Sequence, residues 1–291
     1  LELKSAGKPQ EKKNVQQQFT AFLRHPNAEN AVFLVMLLVF SACLVYFAFH
    51  THKALVPDEP GYIYISTLFA QTWKVPSPTE YSLALGFSRF ERSPFLYFWI
   101  NGRVLNFLTW IAPDINEWRQ IIGLRMVNAT YSILSILFTY LLAREVNKKR
   151  WWSLLPVFLM TSTLMYAFLS GGVSYDNLAN LGAVAGIYFL VRLLRGKPFI
   201  PNSLMWIFFI AVGALAKKTI LPLALVMFII WLVYIIKQRK TLNLKAEISP
   251  RLIPLAIPTL LIVALSVVVY GVHLLKYLDP FSVCSDLMPA F

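Results

Sequence analysis

Charged side chains are scarce in this sequence: they make up 14% of its 291 residues, whereas 57% are hydrophobic. A soluble domain carries roughly 25% charged and 45–50% apolar residues. One soluble core cannot hide this excess of apolar side chains, so we predict an integral membrane protein. The only two cysteines, Cys43 and Cys284, indicate no disulfide framework, because Cys43 lies inside a long apolar run.

Several signatures of catalysis and cofactor binding are absent from the sequence as well. It contains no glycine-rich phosphate loop, no Cys/His spacing typical of zinc and no G-x-S-x-G elbow. No nucleotide site is therefore expected, and any chemistry must use a substrate that was activated elsewhere. The cofactor is left open, a divalent cation included. No cleavable signal peptide is expected, because the first apolar run is too long and no small-residue cleavage site follows it.

The net charge of +13 is the feature that would suggest nucleic acid as a partner. The basic residues, however, cluster beside the apolar runs, as is typical of cytoplasmic loops in membrane proteins. We therefore predict no nucleic-acid partner and expect membrane lipid to surround most of the chain.

Seven apolar runs are read as membrane spans. The first covers residues 31–49. The region 51–120, rich in Pro, Trp and Tyr, separates it from the second span. Segments 61–73 and 93–111 of this region are predicted to be helices lying along the membrane surface, because Tyr and Trp favour the interface. The remaining spans are predicted at residues 121–143, 151–169, 178–194, 204–216, 220–236 and 252–272.

Basic clusters indicate the orientation of these spans. "REVNKKR", "RLLRGK" and "KQRKTLNLK" follow the second, fourth and sixth spans, on the same side as the basic tail 1–30. We therefore predict an all-α polytopic protein with a cytoplasmic N-terminus. Its transmembrane domain covers residues 31–272, its first extracytoplasmic loop residues 51–120, and an extracytoplasmic segment residues 273–291. The expected location is the inner membrane of a cell, or the endoplasmic reticulum in a eukaryote.

This orientation brings three charged loops to the outer face. Asp58 and Glu59 lie in "PDEP", Asp176 lies in "SYDN", and Lys217 and Lys218 follow the fifth span. We predict a catalytic role for the acids and the binding of an anionic group, such as a lipid phosphate, by the lysines. The alternatives stay open: acids in a first helical turn favour the macrodipole, and lysines anchor spans at the interface.

The order of these motifs resembles a family of membrane enzymes. After the Asp-Glu pair come "F-E-x-x-P-x-L-Y-x-W", "TYLLAREV", "S-x-D-x-L" and "GALAKKT". Over about residues 31–235 the chain resembles the GT-C superfamily of integral-membrane glycosyltransferases. It is most similar to the branch that holds protein O-mannosyltransferases and lipid A aminoarabinose transferases.

This resemblance implies transfer of a sugar from a polyprenyl-phosphate carrier to an acceptor on the extracytoplasmic face. Asp58 matches the acid expected to act as general base or to orient the acceptor, and Glu59 completes its motif. Asp176 matches the acid of the second loop, and Lys218 the lysine of the last motif. Glu91 and Arg92 match a segment that is expected to line the same cavity and bind substrate.

Two other classes of function remain open. The first is a non-catalytic member of the fold that serves as an accessory or structural subunit, with other membrane subunits as partners. The second is a transporter or channel, for which charged residues near the middle of the bilayer or paired broken spans would be expected. The predicted acids gather at one outer surface, which favours the enzyme.

Overall fold

A computed structural model of the protein describes residues 27–52, 55–72, 95–147, 149–238 and 252–278. Within these ranges the regular secondary structure is entirely helical, and no strand occurs. Two short 3-10 helices, Arg150–Ser153 and Lys218–Ile220, precede longer α-helices. The α-helices are α1 (Ala28–His50), α2 (Glu59–Gln71), α3 (Leu96–Ile111), α4 (Glu117–Val146), α5 (Leu154–Ser162), α6 (Leu164–Ser170), α7 (Tyr175–Leu194), α8 (Phe199–Ala216), α9 (Leu221–Gln238) and α10 (Ile253–Leu278).

Several of these helices are long and apolar enough to cross a membrane. In the described part of the chain, α1, α4, α7, α8 and the segment Lys218–Gln238 are candidate spans. The predicted third span is broken at Thr163, where α5 and α6 are bent by 69° relative to each other, and the pair counts as a sixth candidate. The apolar part of α10, Ile253–Val268, is shorter. The prediction of an all-helical membrane protein is confirmed.

The two aromatic segments of the first long loop are helices, as the sequence predicts. They correspond to α2 and α3, which are both shorter than the candidate spans. The two helices pack so closely that a Cβ atom on Gly102 would lie 2.8 Å from the backbone of Phe69. A residue without a side chain is therefore needed at this contact. The pair covers the end of the bundle at which α1 ends and α4 begins.

A close crossing of α7 and α8 lies at the centre of the bundle. A Cβ atom on Gly182 would lie 2.6 Å from the carbonyl oxygen of Phe209 and 2.7 Å from the Cα atom of Gly213. Small residues at such crossings let helix backbones approach in membranes. This approach matters for the site, because it brings the first turn of α7 beside Lys217, which follows the end of α8.

The long helix α4 carries a polar face inside the bundle. Its members are spaced by three or four residues, which places them on one side of a helix. All of them are buried against other helices. A polar face of this kind belongs inside a membrane bundle, because lipid offers its side chains no hydrogen-bond partner. Its members are Arg125, Asn128, Ser132, Ser135 and Thr139.

Candidate functional site

Asp58 occupies the N-cap position of α2 in an unusual backbone conformation. Its φ angle is 60°, in the left-handed region, and it is the only non-glycine residue with positive φ in the described ranges. Aspartate is one of the few residues that tolerate this region. The side chain is exposed and makes no capping hydrogen bond. Capping of α2 therefore does not explain the carboxylate, which remains accessible at the end of the bundle.

Glu59, the neighbour of Asp58, has a different environment. Its side chain is fully buried and accepts hydrogen bonds from Arg125 at both oxygens, Nε to Oε1 at 2.8 Å and Nη2 to Oε2 at 2.6 Å. The backbone N–H of Val173 also donates to Oε1, at 2.9 Å. A carboxylate held by three donors is fixed in position. This geometry favours a positioning role for Glu59, whereas the sequence suggested a catalytic pair.

Arg125 and Glu59 together connect three segments of the site. Besides Glu59, the guanidinium of Arg125 donates to the carbonyl oxygens of Ala48, at 3.1 Å, and Thr51, at 2.6 Å. The segments joined are the end of α1, the start of α2 and the loop before α7. The ion pair Glu59–Arg125, together with these hydrogen bonds, thus sets the position of Asp58 relative to the loop that carries Asp176.

Asp176 lies in the first turn of α7 and forms an ion pair with Lys217. The cap of α7 is provided by Ser174, whose hydroxyl accepts a hydrogen bond from the backbone N–H of Asp176 at 3.2 Å. The carboxylate of Asp176 is therefore not needed as a cap. The Nζ atom of Lys217 also lies 5.0 Å from the ring centroid of Tyr175. Both charged side chains are partly exposed, Lys217 by 30% and Asp176 by 40%, so a ligand can reach them.

Asn128, on α4, contacts the loop before α7. Its Oδ1 atom accepts hydrogen bonds from the hydroxyl of Tyr97 at 2.9 Å and from the backbone N–H of Ser174 at 3.3 Å. The amide of Asn177 lies 3.4 Å from the same oxygen. These buried contacts tie α3, α4 and the start of α7 together, and so hold the first turn of α7 against the bundle.

Tyr62 connects the start of α2 with the start of α7: its backbone N–H donates to the carbonyl oxygen of Asp58 at 3.1 Å, and its ring contacts Tyr175. Its ring centroid is 4.8 Å from that of Tyr175. Burial, followed by a hydrogen bond with Tyr175 and by the negative charges of Asp58 and Asp176, raises the pKa of Tyr62 well above its ordinary value. Tyr62 therefore stays protonated, and both carboxylates act on one hydroxyl group. Asp58 and Asp176 therefore both lie in the surroundings of Tyr62.

An apolar groove begins at Pro60 in the first turn of α2, and its lining does not include Asp58, Tyr62, Asp176 or Lys217. Its volume is about 390 Å³, and it lies between α2, α3 and the first turns of α4. The polar side chains at its edge stand next to a floor of aliphatic and aromatic groups, which is the arrangement that suits an amphiphilic ligand. The lining residues are His52, Pro60, Ile63, Tyr64, Thr67, Leu105, Glu117, Gln120, Ile121 and Leu124.

Three predicted site residues, Lys218, Glu91 and Arg92, stay predictions. Lys218 is the first residue of a 3-10 helix and is half-buried; the lysine that reaches Asp176 is its neighbour Lys217. Glu91 and Arg92 lie outside the described residues. Over the described ranges, no three His, Cys, Asp or Glu side chains are grouped so that they could hold a metal ion.

Sequence reasoning missed Arg125, Asn128, Tyr62 and Tyr175. For Arg125 a signal existed, because it is a single arginine inside the predicted span 121–143. Placing an ionisable side chain in a membrane span costs free energy unless a partner neutralises it. Such a residue and its partner are therefore candidates for a functional site. Tyr62 carried no comparable signal, since aromatic residues are frequent throughout the first loop, and nothing in "SYDN" distinguishes Tyr175 as a contact of Lys217.

Comparisons with known proteins do not extend this description. No protein-family model matches the chain, and searches of the curated proteins and of the solved structures find no match. A functional conclusion must therefore rest on the residues and on their geometry.

Proposed function

We propose that this protein is a membrane glycosyltransferase that moves a sugar from a polyprenyl-phosphate carrier to an acceptor on the extracytoplasmic face. The observation that supports this most is the contact between Tyr62 and Tyr175, which joins the turn of α2 that begins at the accessible Asp58 to the ion pair of Asp176 with Lys217. An accessible carboxylate, a cation and an apolar groove are what such a reaction needs. The motif order that resembles the GT-C superfamily supports the same proposal.

Asp58 is the proposed general base. In the transfer step, an acceptor hydroxyl or amine attacks the anomeric carbon of the donor and forms the new glycosidic bond. The bond from that carbon to the phosphate oxygen breaks, and its electron pair leaves with the polyprenyl phosphate. The acceptor proton moves to the carboxylate of Asp58. The exposed position of Asp58 suits contact with an acceptor that arrives from the aqueous side.

Lys217 is the proposed partner of the donor phosphate. A cation near a departing phosphate stabilises the charge that develops there. Lys217 is partly exposed and already faces a carboxylate, so its ammonium group is placed to bind an anion. The apolar groove beside Pro60 is proposed to hold the first isoprene units of the carrier. Asp176 orients Lys217 in this scheme.

Transfer of radiolabelled sugar is the direct test of the proposed activity. The purified chain in liposomes would be offered a panel of polyprenyl-phosphate sugars together with membrane extract as acceptor. We expect protein-dependent transfer from at least one donor. If folded protein transfers label from none of them, the enzyme proposal fails.

The second candidate is a non-catalytic accessory subunit of a membrane complex. The observation that favours it is the engagement of Glu59 and Asp176 in ion pairs, which are structural uses of acidic residues. Purification from the native membrane distinguishes the two candidates. An accessory subunit co-purifies with a stable membrane partner and shows no transfer when that partner is removed.

Neutralising Lys217 tests which lysine binds the donor. We expect Lys217→Met to raise the KM for the polyprenyl-phosphate donor about tenfold or more, because one charge-assisted contact with the phosphate, worth roughly 1.5–3 kcal/mol, is lost. Lys218→Met is the matched control and is expected to change KM by less than about threefold. Steady-state transfer kinetics at varied donor concentration measure both. A larger effect at Lys218 would contradict the assignment.

We further propose seven spans with a cytoplasmic N-terminus. This orientation places the acidic cluster, which consists of Asp58, Glu59 and Asp176, on the extracytoplasmic face. Single cysteines in a background without Cys43 and Cys284 test this orientation. Asp114→Cys, in the loop between α3 and α4, is expected to react with a membrane-impermeant maleimide in intact cells. Lys197→Cys, in the turn between α7 and α8, is expected to react only after permeabilisation. The reverse pattern would place the acids in the cytoplasm and exclude the proposed reaction at the outer face.

A further inference from the structure

The end of the bundle opposite the acidic cluster carries a second set of interacting polar residues. The hydroxyl of Tyr140 donates to Glu29 at 3.0 Å and to Asn30 at 2.7 Å. Arg144 lies one turn further along α4, 3.9 Å from Glu29 and 3.4 Å from Asn30. The ring of Phe33 stacks on that of Tyr140 with centroids 3.9 Å apart. The start of α1 is thereby held against the end of α4.

An apolar groove lies beside these contacts. Its volume is about 400 Å³, and it runs between the first turns of α1 and the start of α5. Two tryptophans flank it, Trp151 and Trp152, with exposed fractions of 40% and 58%. Tryptophan side chains favour the level of the lipid headgroups. The groove is lined by Val32, Met36, Trp151, Trp152, Leu154, Leu155 and Phe158.

Positive charge exceeds negative charge around this groove. Lys149 is exposed and lies at its edge, since its carbonyl oxygen accepts a hydrogen bond from the backbone N–H of Trp152 at 3.2 Å. The side chain of Arg144 is 42% exposed. The nearest acid, Glu29, is almost fully buried by its contacts with Tyr140 and Arg144. Glu145, the other described acid near Arg144 in the chain, lies 4.0 Å from Arg192 and forms an ion pair with it. Among the described residues at this end, an anionic group at the edge of the groove would therefore meet the cations Lys149 and Arg144.

We propose that this groove binds one anionic phospholipid. Its acyl chain lies along Val32, Leu155 and Phe158, and its phosphate is held by Lys149 and Arg144 at the level of the two tryptophans. The charge complementarity selects an anionic headgroup, because each basic residue near a membrane surface adds attraction for anionic lipid. The site lies at the other end of the bundle from Asp58 and does not depend on the proposed transfer reaction.

Native mass spectrometry of the full chain, released from detergent with added lipid, tests the proposal. Wild-type protein is expected to retain one phosphatidylglycerol with an affinity at least tenfold above that for phosphatidylcholine of the same chain length. Lys149→Gln is expected to lower the affinity for phosphatidylglycerol about fivefold, the equivalent of roughly 1 kcal/mol for one basic residue. Lys197→Gln is the matched control: it removes the same charge at the same end but away from the groove.

A variant that fills the groove tests the role of the acyl chain. Leu155 is an exposed lining residue, so Leu155→Trp blocks the groove without changing the buried core. We expect this substitution to lower the affinity for the one tightly bound phosphatidylglycerol at least fivefold, while the protein still elutes as a monodisperse species. Equal weakening by Lys149→Gln and Lys197→Gln would indicate diffuse surface attraction and overturn the proposal. Equal affinity for the two lipids, or unchanged binding to Leu155→Trp, would overturn it as well.

Discussion

Asp58→Asn is expected to lower the turnover number for sugar transfer by about 10²–10⁴-fold, the usual contribution of a general base. Asparagine has nearly the same size and hydrogen-bonding shape, and it tolerates the left-handed backbone conformation at this position. The folded protein should therefore persist while the proton acceptor is lost. The measurement is the initial rate of label transfer at saturating donor and acceptor, together with the yield of monodisperse protein.

The matched control for this variant is Asp114→Asn, which removes an exposed acid from the loop between α3 and α4. We expect its rate to stay within about twofold of the wild type, since an exposed surface charge away from the reacting atoms contributes little. Unchanged transfer by Asp58→Asn would exclude the proposed base. A rate loss that merely matches a loss of folded protein would assign Asp58 to the fold.

Glu59→Gln is expected to destabilise the protein by about 3–5 kcal/mol, because it leaves the charge of Arg125 buried without its partner. The new amide would also direct N–H donors at the guanidinium. Since the pair of Glu59 and Arg125 joins the end of α1, the start of α2 and the loop before α7, we expect a lower thermal transition temperature in detergent and less folded protein. Loss of activity would follow from the loss of structure.

Two further variants test whether the unpaired charge of Arg125 causes this loss of stability. Glu117→Gln removes an exposed acid from the first turn of α4 and is expected to change stability by less than about 0.5 kcal/mol. Adding Arg125→Met to Glu59→Gln removes the unpaired charge and should restore part of the transition temperature. The recovery is partial, because the carbonyl oxygens of Ala48 and Thr51 lose their donor. A Glu59→Gln protein as stable as the wild type would refute the structural role.

The sequence predicts where most helices lie, but it is less informative about which side chains contact each other. The apolar runs predict α1, α4, α7, α8 and α9, because a long apolar run can satisfy its backbone in lipid only as a helix. The aromatic segments predict α2 and α3 in the same way. The break at Thr163 and the bend of 69° were not expected, since "LMTSTLMYA" carries neither proline nor glycine.

For adjacent residues of the same charge, the sequence did not predict which side chain has which role. Asp58 and Glu59 are adjacent acids and look equivalent in the sequence, yet one is exposed and the other is fully buried against Arg125. Lys217 and Lys218 are adjacent lysines, and the resemblance favoured Lys218, whereas Lys217 reaches Asp176. The direction of a side chain depends on where its helix starts or ends, which apolar periodicity does not report.

By itself, then, the sequence determined that the chain is a helical membrane protein with acids and lysines grouped in a few loops, because composition and run length suffice for that. Only the tertiary structure decided which of those charges meet. The crossing of α7 and α8 at Gly182 and Gly213 brings Lys217 to Asp176. Glu59 accepts hydrogen bonds both from Arg125 and from the backbone N–H of Val173, which lies 114 residues further along the chain. Such contacts depend on the packing of whole helices against each other, and no local pattern specifies them.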